Sequence, residues 1–232
     1  AGSTDCIGRV ASDLPAGIVG SAGRVGSARV VGLAKPAVCV ASSLGRSDFD
    51  AMAAMEAHFY SENFITPAEE AWRWYERYPF TTVAVRATGD ATGEDGVAPI
   101  AGFVNLFPVT AAVRDALLAG TLNDANLTVD DVVDPRGQAE RGGCEDSLRM
   151  FLSCVVVDIP WQGTGLAYSL VAQAAAQYAE HAHRIADVVV DTATLDGAKL
   201  ARNLGFSLAR PSDHGTQIWH ATWDAFIAKL AR

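Results

Sequence analysis

The chain has 232 residues, 50% of them hydrophobic and 19% charged, enough for one sizeable core or a core plus an arm. Its net charge of −9 argues against a nucleic-acid partner, which needs a basic footprint, and suits an amine-bearing one. No stretch reaches the roughly 18 apolar residues of a membrane span, and no basic segment with an apolar run opens the chain as a signal peptide. Four widely spaced cysteines (Cys6, Cys39, Cys144, Cys154) without a C-x-x-C pair point to a reduced, cytoplasmic protein with no metal site.

Residues 1–36 form a Gly/Ala/Ser-rich arm, with Gly17, Gly20, Gly23 and Gly26 at every third place. Too short and proline-poor for collagen, it reads as irregular chain or as an arm packing on a second copy in a homodimer. From residue 37 to 232 the pattern is that of one folded domain. Val38 and Val40 suggest a short first strand, and Ser47 opens a helix with Phe49, Met52, Ala53, Phe59 and Tyr60 toward one side. A second helix starts at Thr66 as N-cap, with Pro67 at the first helical position and Glu69 closing a capping box. Its buried stripe is Ala68, Ala71, Trp72 and Tyr75, and Pro79 ends it.

Strands follow at Phe80–Ala87 and Ile100–Phe107, separated by a turn-rich stretch. Residues 108–146 interrupt the pattern. They hold a helix around Val113, Ala116 and Leu117 closed by Gly120, a second helix start at Thr128 and Asp131, and a loop from Pro135 to Gly143. So long a connection reads as a lid or wall over a site rather than as scaffold. Met150–Ile159 is the strongest strand, with Cys154 to Val157 apolar on both faces. A helix at Gly165–His181, a strand at Asp187–Asp191, a helix at Leu195–Leu204 and a last strand at Gln217–Trp223 complete a mixed α/β order.

The informative stretch runs Val155-Val156-Val157-Asp158-Ile159-Pro160-Trp161-Gln162-Gly163-Thr164-Gly165-Leu166-Ala167. A buried strand, a tight glycine turn and a helix N-terminus together suit an anion such as a pyrophosphate. Tyr168 stands where a dinucleotide fingerprint needs its third glycine, and the lysine of a P-loop is absent. Gln162 to Ala167 resembles the Q/R-x-x-G-x-G/A motif of the GNAT superfamily of N-acetyltransferases. About thirty residues on, Leu200-Ala201-Arg202-Asn203-Leu204-Gly205-Phe206 resembles that family's second signature.

The resemblance implies an α/β (α+β) fold with a central mixed, mostly antiparallel sheet flanked by helices, here with an insertion between the third and fourth strands. It implies acetyl-CoA as acyl donor, no metal, and direct transfer to a small-molecule or peptide amine in a ternary complex. The amides of Gly163, Thr164, Gly165, Leu166 and Ala167, with Gln162, would hold the pyrophosphate. The edge of Val155, Val156 and Val157 would pair with the pantetheine and polarise the thioester carbonyl. The acceptor would lie against Glu56, Tyr60, Glu62 and Asn105.

Two departures matter. Ala201 stands where the family places a tyrosine that protonates the leaving thiolate, with Tyr168 and Tyr178 as conceivable replacements. Phe151, Ser153 and Cys154 stand where relatives carry a strand base, which leaves Glu145 and Asp191 as candidate catalytic carboxylates. These departures keep open a second reading, a non-catalytic acyl-CoA-binding domain for sensing or assembly.

Overall fold

The computed structural model describes residues 38–88, 98–137 and 147–231; the N-terminal arm and Glu145 lie outside them. Seven strands form one sheet in the order β1-β2-β3-β4-β5-β7-β6. They are β1 (Val38–Val40), β2 (Thr82–Ala87), β3 (Ile100–Val109), β4 (Leu148–Val157), β5 (Ile185–Thr192), β6 (Ser207–Pro211) and β7 (Gln217–Thr222). All neighbours are antiparallel except β4 and β5. This is the mixed, mostly antiparallel sheet that the sequence predicts.

Alternation along the strands divides the apolar side chains between two faces. Val83, Val85, Met150, Leu152, Val188 and Val190 face one side, where helices α4 (Leu166–Ala176), α5 (Leu195–Asn203) and α6 (Trp223–Leu230) cover them. Ala84, Phe103 and Val156 face the other side, under α1 (Arg46–Glu56) and α2 (Ala68–Arg77). Phe107, Phe151, Val189 and Ile218 share that second side and meet α3 (Ala111–Ala119) through Val113 and Leu117. Gly102 lets α4 approach β3 closely, since a Cβ there would stand 2.9 Å from the Val156 carbonyl oxygen and 3.1 Å from a Leu170 methyl.

The helices correct the sequence reading in four places. Thr66 does not cap α2: the helix starts after Pro67 without a side-chain cap. Thr66 is instead buried, and Glu69 pairs with Arg46 and Arg73 at 3.2 and 3.5 Å. The fully buried residue of α2 is Trp74, its ring tilted against Phe107, while Trp72 and Tyr75 are half-buried against Phe49. Thr128 and Asp131 do form a cap, but over a single 3-10 turn, Val129–Asp131. The helix expected to reach His181 ends at Ala176, with a 3-10 stretch over Ala179–Arg184.

Two elements go unmarked in the sequence. β6 is exposed along its whole length, so it carries no apolar alternation, and α6 begins where the last strand was expected to end. The described part of the 108–146 insertion is packed into the core, where the sequence reading expected a lid or wall rather than scaffold. Val113, Leu117, Leu127 and Val132 are core residues. Arg114 donates from Nε to Asp187 on β5 at 3.1 Å and also bonds it through Nη2; Asp187 further meets His220 at 3.2 Å and Arg149 at 3.6 Å. That buried carboxylate, bonded through Oδ2 to Arg114, pins α3 to the sheet, while its Oδ1 has no hydrogen-bond partner among the described residues.

Candidate functional site

β4 and β5 begin side by side and then part. Their pairing runs from Leu148–Ile185 to Leu152–Val190 and stops, although β4 continues to Val157 and β5 to Thr192. At the point of parting the β3–β4 register shifts between Asn105 and Leu106, opposite Cys154 and Leu152, which leaves Ser153 as the extra residue of a bulge. Beyond the bulge, β4 pairs only with β3 among the described residues. The Asp158 N–H bonds the Ala101 carbonyl on the β3 side at 3.0 Å. Amides alternate sides along an antiparallel strand, so Val155 and Val157 turn their polar groups into the gap. Gln162 covers the Val157 carbonyl, donating from Nε2 at 3.0 Å. The N–H and C=O of Val155 remain as the open edge.

The loop leading into α4 borders the same gap. The Asp158 carboxylate accepts from the Ile159 N–H at 2.8 Å, and the Thr164 hydroxyl donates to the Trp161 carbonyl at 2.6 Å, which fixes the turn. Gly163 and Gly165 take φ of 72° and 87°, a left-handed backbone that favours glycine. A Cβ at either would meet nothing within 4 Å, so the space before the loop is clear. The N–H groups of Gly165, Leu166 and Ala167 make no backbone bond among the described residues and stand at the positive end of the α4 dipole. Open amides, clear space and an unpaired strand edge are the features that a pyrophosphate with an extended arm requires.

A cleft continues from the parted strands toward α1 and the insertion, and three carboxylates line it: Glu56, Asp124 and Asp191. Glu56 comes from the last turn of α1 and accepts a hydrogen bond from the Cys154 thiol at 3.1 Å. Burial pushes its carboxyl up to about 7; the charge of Asp124 adds to this, while Cys154 and the Thr66 amide oppose it. Asp124 is also pushed up to about 7, by burial and then by the charge of Asp191, although Ser153 donates to it at 3.4 Å. Asp191 is raised by burial against a 2.8 Å bond from the Thr216 hydroxyl and the nearby His214. Cys154 and Tyr60 are both raised, first by burial, and so hold their protons.

No protein-family model and no curated protein matches the sequence. Solved structures do match. The GNAT-like decarboxylase GphF in complex with isobutyryl-CoA superposes with a TM-score of 0.51 at 17% identity, over 81% of this chain and 99% of that one. The loading GNATL domain of CurA from Lyngbya majuscula gives 0.50 at 14%, over 81% and 98%. A chain of the NatC complex bound to Gag peptide and CoA gives 0.50 at 12%, over 79% and 95%. The chain has the GNAT fold.

Within this GNAT fold, the structure places Val155, Val157 and the Gln162–Ala167 loop along one side of the gap, while the Val156 side chain is buried beneath α1. Of the residues expected at the acceptor, Glu56 and Tyr60 line the cleft. Glu62 does not: it is exposed on a 3-10 turn. Asn105 is buried behind Glu56, where its Oδ1 accepts from the Thr82 hydroxyl at 3.0 Å. Asp191 reaches the cleft, as expected of a candidate base.

Asp124, which the sequence reading missed, arrives from the insertion on the turn Asp124–Asn126. Its neighbours in the cleft are distant in the sequence, and no local pattern marks it. Ala201 lines the cleft from α5. The two replacement tyrosines are engaged elsewhere: Tyr168 donates to the Lys229 carbonyl, and the buried Tyr178 donates to Leu106 at 2.7 Å. Among the described residues no group of three or more His, Cys, Asp or Glu could hold a metal ion, and no helix is long and apolar enough to cross a membrane.

Proposed function

We propose that the protein is an acyl-CoA-dependent N-acyltransferase, using acetyl-CoA and an amine acceptor in a ternary complex. The supporting observation is the parting of β4 and β5 at Leu152 and Val190, which sets an open strand edge between a helix N-terminus and an acidic cleft. The Gln162–Ala167 amides hold the pyrophosphate, and the Val155 N–H donates to the thioester carbonyl oxygen as charge develops there. Glu56, helped by Asp124, takes the proton from the acceptor ammonium. The amine nitrogen then bonds the thioester carbon as its C–S bond breaks, and gives up its second proton to water. Water protonates the departing thiolate, because the α5 residues at the cleft, Gly197, Leu200 and Ala201, carry no acid. A thiol with a pKa of about 8.5 leaves without a strong acid, whereas a Lys-like ammonium near 10.4 needs a base.

NatC, among the matched structures, is bound to a peptide, so peptide and small amines both belong in the test. Incubation with acetyl-CoA and a panel of such amines, read by thiol release and product mass, should show transfer. Glu56→Gln should slow it by roughly 10²–10⁴-fold with CoA affinity retained. Tight CoA binding with no amine acylated would instead support a non-catalytic acyl-CoA-binding domain, a reading that the absence of a hydroxyl at Ala201 favours.

A further inference from the structure

The bulge in β4 decides which side of the sheet Cys154 faces. Met150 and Leu152 point toward α4 and Phe151 toward α3, so strict alternation would turn residue 154 toward α4 as well. The extra residue, Ser153, reverses the phase. Val155 and Val157 then pack on the α4 side, whereas Cys154 and Val156 pack under α1. The thiol re-aimed in this way meets Glu56 Oε1 at 3.1 Å. We propose that Cys154 is a positioning residue for acyl transfer, its thiol fixing the Glu56 carboxylate at the cleft beside the strand residue whose amide meets the thioester. This rests on the acyltransferase reading for what Glu56 does, but not for the contact that holds it.

The surroundings of Glu56 give the thiol a defined part. Met52, Ala53, Ala68, Ala71, Phe103 and Asn105 pack around it and carry no charge. From the insertion, Asp124 disfavours its ionised form. Asp191 on β5 acts on Asp124, and His214 acts on Asp191. The Tyr60 hydroxyl, in the same cleft, keeps its proton. What favours the carboxylate is the Cys154 thiol and, after it, the Thr66 amide. Cys154 is the one side chain among the described residues that bonds Glu56. Burial keeps the thiol protonated, so it donates, and a donor to the charged form stabilises that form. Cys154 also precedes Val155 directly, so base and open edge are set by adjacent residues of one strand.

The test compares Cys154→Val, which fills the place without a donor, with Cys154→Ser, which supplies one again. Cys154→Ala stands in for the valine variant should that fail to fold. Loss of a weak donor to a charged group moves its titration by about one pH unit. The rising limb of kcat against pH, at saturating acetyl-CoA and amine, should move up by that amount in Cys154→Val. Transfer then falls by roughly fivefold at pH 7 and hardly at all at pH 9. Cys154→Ser should keep the native limb. A second readout needs no transfer. The stability that protonated Glu56 lends is complete below about 4.5 and lost as pH rises through about 7. In Cys154→Val the upper end of that loss should move up by the same unit, and in a Glu56→Gln background Cys154→Val should move nothing. An unmoved limb and melt in Cys154→Val, a serine variant that behaves as the valine one does, or a shift that persists without Glu56 would overturn the proposal. Melts that shift as expected in a chain that acylates no amine would remove the transferase and leave the hold of Cys154 on Glu56.

Discussion

Replacing Glu56 by Gln should stabilise the protein above neutral pH while disabling it. Glu56 is only 5% exposed, and its carboxyl is held at about 7 instead of 4.5, chiefly by burial. A carboxyl that binds its proton more tightly in the folded chain favours folding while protonated. That contribution is complete below about 4.5 and disappears as pH rises through about 7. Above that pH the folded chain carries a buried, ionised carboxylate that the unfolded chain would solvate. At about 1.4 kcal/mol per pH unit, the gap corresponds to roughly 3 kcal/mol. Gln keeps the shape and an oxygen for the Cys154 thiol but no charge, so Glu56→Gln should recover most of that at pH 8. For a domain of this size the gain is about 6–12 °C in Tm. Near pH 4.5 the two proteins should melt together. Thermal melts at both pH values, with urea titrations beside them, provide the measurement. An equal shift at both pH values, or a loss of stability at pH 8, would refute the assignment of burial as the cause.

Gly165→Glu should lower CoA affinity by at least 100-fold in calorimetry, because it sets a carboxylate before the open amides. It should leave a folded protein, since its side chain meets open space and the strain of a left-handed residue is about 1–2 kcal/mol. Tyr178→Phe should cost about 1–3 kcal/mol in urea titration, by leaving the buried Leu106 carbonyl without its donor, and should not alter the pH profile of transfer. Arg114→Met should cost about 3 kcal/mol by exposing Asp187 to a weaker set of partners, an effect that 1 M salt would not reproduce in the native chain.

The sequence makes the central fold legible because its strands are buried on both faces. β3 has ten buried residues in succession, and the apolar run Cys154 to Val157 marks β4, although of those four only Val156 is fully buried. The glycine turn before α4 is equally plain, since Gly163 and Gly165 both take backbones that other residues avoid. β6 is hidden because all of its side chains face water. Of the acid cleft, Glu56 and Asp191 are named from the sequence, and Asp124 is the part that is hidden, because it lies on a turn like many others. At the bulge Ser153 bonds Asp124 and Cys154 bonds Glu56, and a bulge leaves no periodic trace.

The parting of β4 and β5 also has a mechanical consequence. The two halves of the sheet, β1 to β4 and β5 to β7, are tied by a ladder of only five residue pairs, Leu148–Ile185 to Leu152–Val190. A zipper that short, open at one end, makes the junction the natural place for the halves to breathe apart. An extended arm lying along the Val155 edge would close the open end and act as a staple. Amide exchange at Val155 and Val157 should therefore be fast for a central strand and slow sharply once the donor thioester is present. The melting temperature should climb with the logarithm of donor concentration, as the filled notch turns two hinged half-sheets into one.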